Sequence, residues 1–176
     1  MTIFEALRQK KAAIVAEWVD RTLDGYAAPG HFKQSRDRFA NPVGANTSEA
    51  LERLFDLLCG ENETPDCVAP LDQLLRIRSV QEFSPSQAVA PVLELKWVVR
   101  RLLAADKATS PLLTSLDLFD LRVERAALAA FDVYVACREL LFQVRLDEFK
   151  SGRHVLAGAV CPSSLRQGRG GAREAL

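Results

Sequence analysis

Apolar side chains near the start of the chain recur every three or four residues, which is the period of one face of an α-helix. Thr2 and Glu5 have the spacing of a capping box, and Gly25 is suited to end a helix. The pattern therefore predicts one helix from residue 3 to residue 24. Its apolar face would consist of Ile3, Phe4, Leu7, Ile14, Val15, Trp18, Val19 and Leu23.

Between residues 25 and 60 the pattern predicts a turn, a short helical stretch and a second long helix. The polar run from Lys33 to Arg38 suits two helical turns. Thr47 can act as the N-cap of the second helix, which would end at Gly60. Its buried face would consist of Leu51, Leu54, Phe55 and Leu58.

A proline and a glycine lie just before this second helix, in the stretch Phe39-Ala40-Asn41-Pro42-Val43-Gly44. A residue before proline is biased toward extended backbone, and the Asn41 side chain can cap the amides that follow it. Gly44 permits a backbone with a positive φ. These properties favour a rigid corner over a ligand loop, although Arg38 and Asn41 remain candidates for binding.

Two prolines shape the middle of the chain. The third helix is predicted from residue 65 or 66 to about residue 83, because Pro85 disfavours helical backbone geometry in the residue before it. The sequence Ser84-Pro85-Ser86-Gln87 has the form of a capping box, and it opens a fourth helix that reaches about residue 105. Pro91 removes one donor from the second turn, which predicts a kink or a loosened turn.

The last helical pattern runs from Ser110-Pro111 to about residue 150. As one helix it would be about 60 Å long, which exceeds the diameter of a small domain. A break between Leu116 and Arg122, or a helix that projects into a partner, is therefore expected. No segment alternates as a strand does. The predicted fold is all-α, with five to six helices in a helical bundle or globin-like arrangement and a long C-terminal helix.

Composition limits the environment and the partners. Lys+Arg and Asp+Glu both number 23, so the chain as a whole does not attract nucleic acid or anionic lipid. Charges interrupt the apolar N-terminus, and no segment approaches the roughly 20 apolar residues of a membrane span. We expect a cytoplasmic protein without membrane insertion, with one helical domain over residues 1–152 and a flexible tail over residues 153–176. Reduced thiols are predicted for Cys59, Cys67, Cys137 and Cys161.

The chain offers few groups for catalysis. His31 and His154 are the two histidines, and neither has a second metal-ligand residue at a suitable spacing. No phosphate-binding glycine loop and no GxSxG nucleophile motif is present. The sequence therefore predicts no enzyme, no metal site and no cofactor.

Two polar clusters are candidates for binding. Arg76 and Arg78 are two residues apart on the third helix and must point to different faces, and Lys96 precedes Trp97 on the fourth. Their stems can cover apolar surface while the charged groups stay in water. Alternatively, they bind a small anion or the carboxylates of a partner. The candidate residues for binding a ligand or partner are Arg38, Asn41, Arg76, Arg78, Gln81, Lys96 and Trp97.

Four stretches of the chain together resemble a known family. They are WVDRTLDGY, DRFANPVG, LLRIRSVQEFSPSQAV with LELKWVVRRLL, and AFDVYVACRELLFQVRLDEFK. In this order they resemble the N-terminal domain family of RsbRD-type RsbT co-antagonist proteins, which are sensory modules of stressosome-type signalling. The resemblance covers about residues 10 to 150, and the combination of RFANPVG with VQEFSPSQA is its most specific part.

The resemblance implies an all-helical, non-catalytic sensor or adaptor domain in a bacterial stress response. Such a domain acts through helix-mediated contacts, as a homodimer and with an unidentified signalling partner. Only 26 residues follow residue 150, too few for the STAS domain of stressosome proteins, so a free-standing domain is expected. The alternative is a protein that binds a small molecule or anion in a pocket between the third and fourth helices and the Asn41-Pro42 loop.

Overall fold

The computed structural model describes residues 1–26, 29–34, 40–81 and 83–151, and these residues are helical with no strand. The all-α prediction is confirmed. The chain divides into two compact units between Arg138 and Glu139. The α-helices are α1 Ile3–Gln9, α2 Lys11–Asp24, α3 Pro29–Gln34, α4 Pro42–Leu58, α5 Val68–Ser79, α6 Pro85–Ala104 and α7 Asp117–Lys150, and a 3₁₀ helix spans Ser110–Ser115.

The first predicted helix is two helices, α1 and α2. The chain breaks at Lys10, whose φ of −95° and ψ of 6° are not helical, and the Lys10 ammonium lies 2.7 Å from the Asp106 carboxylate. A break of a single residue hardly changes the spacing of three and four, so Leu7 and Ile14 are both fully buried on either side of it. The prediction of one continuous helix is therefore wrong. The capping box of Thr2 is present as predicted.

Helix α4 begins at Pro42, five residues before the predicted start at Thr47. Asn41 is its N-cap, because the side-chain oxygen accepts a hydrogen bond from the Gly44 amide at 2.9 Å. Thr47 is fully buried inside the helix. The predicted helical turns of residues 33–38 are seen in part as α3, and residues 35–38 lie outside the described residues.

Gly44 is needed at this corner for space, and the predicted positive φ is wrong because the residue is helical. A Cβ atom at this position would lie 2.3 Å from the Asn41 side-chain nitrogen and 2.6 Å from the Phe32 carbonyl oxygen. Any side chain would therefore displace the cap of α4. The corner is a close contact between α3 and the start of α4.

The prolines of the middle segment act as predicted at the helix start. Ser84 and Gln87 form a capping box, in which the Ser84 hydroxyl accepts from the Gln87 amide at 3.3 Å and the Gln87 side chain accepts from the Ser84 amide at 2.9 Å. Helix α6 continues through Pro91. The predicted break near residue 116 is confirmed, since the 3₁₀ helix ends at Ser115 and α7 begins at Asp117.

The core of the first unit is formed where α2 packs against α4 and α6, and α4 against α5. Buried residues of α7 join the same core. None of the described helices has the length and apolar character of a membrane span. The largest fully buried apolar side chains include Trp18, Phe55, Phe119, Leu7, Ile14 and Leu51.

Candidate functional site

The most unusual feature of the first unit is a buried arginine at the end of α5. The side chain of Arg78 is 2% exposed, and its guanidinium carbon lies 4.2 Å from the centre of the Phe83 ring and 5.1 Å from that of the Tyr26 ring. Burial lowers the pKa of this guanidinium, and nearby Tyr26 and Glu94 offset part of the effect. We call Arg78, Tyr26 and Phe83 the Arg78 cluster.

One nitrogen of Arg78 donates to a backbone carbonyl oxygen that lacks its usual helical donor because of a proline. Its Nη2 donates to the carbonyl oxygen of Gln87 at 3.2 Å. In a regular helix that oxygen would accept from the amide four residues later, but this residue is Pro91, which has no N–H. Arg78 therefore supplies the donor that Pro91 removes. This contact joins the end of α5 to the first turn of α6.

The other nitrogens of Arg78 are less well placed. Among the described residues, neither Nε nor Nη1 has a hydrogen-bond acceptor, although both are buried. The Tyr26 hydroxyl is likewise buried and has no hydrogen-bond partner in this part of the chain. Buried polar groups are nearly always paired, so a cluster with several unpaired groups requires an explanation.

The Arg78 cluster connects to the Asn41 corner through two contacts. The rings of Tyr26 and Phe32 lie 5.2 Å apart, and the side-chain nitrogen of Asn41 donates to the Phe32 carbonyl oxygen at 2.5 Å. Arg78 and Asn41, both predicted binding residues, are thus at the two ends of one chain of contacts. The part of the predicted site that the structure brings together is this pair.

The remaining predicted residues lie elsewhere or have other partners. Arg76 is exposed and forms an ion pair with Asp72 at 2.7 Å, one turn away on the same helix. Gln81 lies beside the Arg78 cluster, since its backbone amide donates to the Arg78 carbonyl oxygen at 3.3 Å, and its side-chain oxygen is buried without a partner among the described residues. Arg38 lies outside the described residues.

Lys96 and Trp97 are on a surface of α6 that is distant along the helix from the Arg78 cluster. Gln87 and Trp97 are ten residues apart, which corresponds to about 15 Å of helix. Lys96 forms an ion pair with Glu124 of α7 at 2.7 Å. The half-exposed Trp97 ring lies beneath the guanidinium carbons of Arg21, at 4.3 Å, and Arg101, at 5.4 Å. Lys96 and Trp97 therefore both have partners within the chain.

A second buried arginine, Arg122, was not indicated by any pattern in the sequence. Its side chain is 4% exposed, and its Nη1 donates to the carbonyl oxygens of Leu58 at 2.9 Å and Gly60 at 2.8 Å. Arg8 donates to the Cys59 carbonyl at 3.0 Å. Two arginines thus cap the C-terminus of α4, where partial negative charge favours cations.

Helix α7 has large apolar side chains in water. In the first unit the exposed residues are Leu118, Leu121, Leu128 and Phe131, and Leu128 is 70% exposed. Leu121, Leu128 and Val135 are seven residues apart, the spacing of a coiled-coil seam. We call Leu121, Leu128, Phe131 and Val135 the α7 stripe. In the second unit Leu140, Phe142, Val144 and Phe149 are also exposed.

Metal ligands do not converge in the described part of the chain, where no group of three or more His, Cys, Asp or Glu residues could hold an ion. Two features described above are candidates for a site, the buried cation Arg78 and the exposed face of α7. Both lie within the span that comparison with known proteins covers. A family model described as the RsbT co-antagonist protein rsbRD N-terminal domain matches residues 12–148.

The chain belongs to the RsbRD N-terminal domain family. An uncharacterized protein of Archaeoglobus fulgidus is 29% identical to it over 141 residues, which are 77% of this chain and 82% of that protein. No solved structure matches the chain. In this member of the RsbRD N-terminal family, the matched residues 12–148 include both Arg78 and the α7 stripe.

Proposed function

We propose that this RsbRD N-terminal domain is a non-catalytic sensor or adaptor of stress signalling that acts by pairing helices with a second copy of itself. Membership of the family supports a sensory role. The observation that carries the mode of action is the α7 stripe. Exposed apolar patches that run along one face mark protein interaction sites in soluble proteins.

The spacing of the stripe suits a symmetric pair of helices. Residues seven apart stay on one side of a helix that supercoils with a partner, and Leu or Val at such positions fills the seam between two helices. Two-fold pairing places the same residues against each other, so one stripe provides both halves of the interface. Glu124 lies seven residues before Phe131, in the line of the stripe, and its carboxylate pairs with Lys96 of α6 at 2.7 Å.

A measurement of mass in solution tests this proposal. At tens of micromolar, we expect sedimentation equilibrium to show a dimer for the wild-type chain, and a monomer for Leu128→Glu and for Phe131→Glu. Leu93→Glu is the matched control, because Leu93 is an exposed apolar residue of α6, 45% accessible, outside the stripe. It should remain dimeric.

The proposal fails if the wild-type chain is a monomer at these concentrations, or if Leu128→Glu leaves the dimer intact. Circular dichroism would show that each variant retains its helices. A dimer that is broken by Leu93→Glu and kept by Leu128→Glu would move the interface to α6.

A further inference from the structure

Two nitrogens of Arg78, Nε and Nη1, are buried without a partner among the described residues, which indicates that a further group completes this site. An isolated buried cation is costly, and folded proteins compensate it with a carboxylate, a bound anion or several hydrogen bonds. Among the described residues no carboxylate forms an ion pair with Arg78. Glu94 pairs with Arg21 at 3.4 Å, and Asp72 pairs with Arg76.

The neighbours of Arg78 do not provide hydrogen-bond acceptors for all of its buried nitrogens. The Tyr26 and Phe83 rings stabilise a cation through their electron-rich faces, and the Tyr26 side chain offsets part of the pKa lowering that burial imposes on Arg78. Nε and Nη1 nevertheless have no acceptor at hydrogen-bonding geometry among the described residues. The Gln87 carbonyl takes a bond from Nη2 alone. The Tyr26 hydroxyl can donate as well as accept, and it too has no partner among the described residues.

The helix beside Arg78 adds positive charge. Gln87 is the third residue of α6, so Arg78 contacts the end of that helix at which the peptide dipoles place partial positive charge. A cation is disfavoured there, whereas an anion is attracted both by the guanidinium and by the helix. Arg122, by contrast, lies at a helix C-terminus, where partial negative charge favours a cation.

We propose that Arg78 and the Tyr26 hydroxyl bind a small oxyanion, either a carboxylate or an inorganic oxyanion. Its oxygens would accept hydrogen bonds from Nε and Nη1 of Arg78 and from the Tyr26 hydroxyl. The ligand must be small, because the side chains of Arg78 and Tyr26 are 2% and 5% exposed. This inference is independent of the dimer proposed above, since none of its residues belongs to the α7 stripe.

The ligand would also reach the rest of the molecule by a defined route. Tyr26 follows α2 by two residues and contacts Phe32 of α3, whose carbonyl oxygen accepts a hydrogen bond from the Asn41 side chain that caps α4. An anion held between Arg78 and Tyr26 therefore ties the ends of α2 and α5 to the start of α6, one contact away from the Asn41 corner. Its chemical class suits a metabolic acid or an oxyanion as an input signal.

Thermal unfolding of the full chain with three probes tests the site. Acetate, sulfate and phosphate are titrated separately from 0 to 20 mM, with chloride adjusted to hold ionic strength constant. We expect at least one probe to raise Tm saturably in the wild-type chain. Arg78→Met should weaken that response at least about tenfold, because it removes charge-assisted hydrogen bonds, and Tyr26→Phe should weaken it less. The difference among the probes distinguishes carboxylate from inorganic oxyanion.

Arg76→Met is the matched control, because it removes an exposed arginine two residues away on the same helix. It should respond as the wild-type chain does. Equal responses of wild type and Arg78→Met to every probe, or no saturable response of the wild-type chain, would overturn the proposal.

A second measurement decides the matter if Arg78→Met does not fold. In ¹⁵N NMR spectra the Nε–Hε signal of Arg78 is identified as the one missing from Arg78→Lys. A saturable shift of that signal with the probe that raises Tm supports the site. A signal that stays in place throughout the titrations contradicts it.

Discussion

The two buried arginines of this domain differ in the hydrogen bonds that compensate for the burial of their charge. Arg78 and Arg122 are both more than nine-tenths buried, and each covers an aromatic ring, Phe83 at 4.2 Å and Phe4 at 4.7 Å. Arg122 donates to two carbonyl oxygens at the negative end of α4, whereas Arg78 donates to one carbonyl at the positive end of α6. Among the described residues Arg122 leaves one buried nitrogen, Nε, without a partner, whereas Arg78 leaves two, Nε and Nη1, and these two are the nitrogens proposed to bind an anion.

The largest expected effect comes from removing Arg122. Arg122→Met would leave the Leu58 and Gly60 carbonyls buried without their donor, so we expect a loss of about 3 kcal/mol in the free energy of unfolding. Urea denaturation measures it. Arg125→Met, which removes an exposed arginine of the same helix, should change stability by less than about 0.5 kcal/mol. A loss below about 1 kcal/mol for Arg122→Met would remove the distinction between the two arginines.

Substitution of Gly44, at the Asn41 corner, should have the next largest effect on the free energy of unfolding. Gly44→Ala places a Cβ atom against the Asn41 side chain and the Phe32 carbonyl, so the cap of α4 is lost and stability falls by about 2 kcal/mol. Gly30→Ala is the control, since no atom lies within 4 Å of its added Cβ. It should be neutral or stabilising in urea denaturation. Equal effects of the two changes would show that the corner tolerates a side chain.

The stability of the domain should depend on pH through Cys59, a buried thiol near Arg122 at the end of α4. Burial raises the pKa of the Cys59 thiol to about 12, and nearby Arg8 offsets part of this. The folded thiol keeps its proton where the unfolded thiol, with a pKa near 8.5–9, has lost it. Stability that is present below pH 9 is therefore lost as the pH rises toward 12, by about 1.4 kcal/mol at pH 10.

Comparison of the wild-type chain with Cys59→Ala isolates this contribution from those of the other cysteines. Urea denaturation at pH 8 and pH 10 should show the steeper loss in the wild type. Parallel losses in the two proteins would mean that Cys59 ionises as readily when folded as when unfolded.

The smallest effect is expected at Arg78. In buffer without the probe anions, Arg78→Met loses one hydrogen bond but also relieves a buried charge that has no ion-pair partner among the described residues. Its net cost in urea denaturation should be about 1 kcal/mol or less. Arg76→Met provides the exposed reference. A cost near that of Arg122→Met would mean that Arg78 is primarily structural.

A double-mutant cycle with Pro91 sharpens the same point. Pro91→Ala restores an amide that can donate to the Gln87 carbonyl, so Arg78→Met should cost less in that background, by about 0.5–1 kcal/mol. Urea denaturation of the four proteins gives the coupling. Additive costs would show that Pro91 and Arg78 do not share this acceptor.

What the sequence predicted correctly was local. The capping boxes at Thr2 and Ser84 join residues three apart, and the break before α7 follows from the length of its apolar pattern. The start of α4 was misplaced because Thr47 and Asn41 are both suitable caps, and the choice depends on the Phe32 carbonyl, nine residues from Asn41.

The candidate site was predicted only in part for a related reason. The spacing of Arg76 and Arg78 required different faces, but the aromatic partners of the buried one, Tyr26 and Phe83, come from other segments. Arg122 was missed entirely, since its acceptors lie 64 and 62 residues earlier in the chain. Contacts between residues so far apart in the chain produce no periodic pattern in the sequence.

Pro91 also determines how its neighbours are aligned along α6. The Gln87 carbonyl that Pro91 leaves free binds Arg78 of α5, and the carbonyl of Pro91 itself accepts from the Trp18 indole of α2 at 2.6 Å. Sliding either neighbour by one helical turn, about 5.4 Å, would break its bond while keeping much of the apolar contact. The proline therefore acts as a register mark, and it discriminates against shifted packings that hydrophobic burial alone would tolerate.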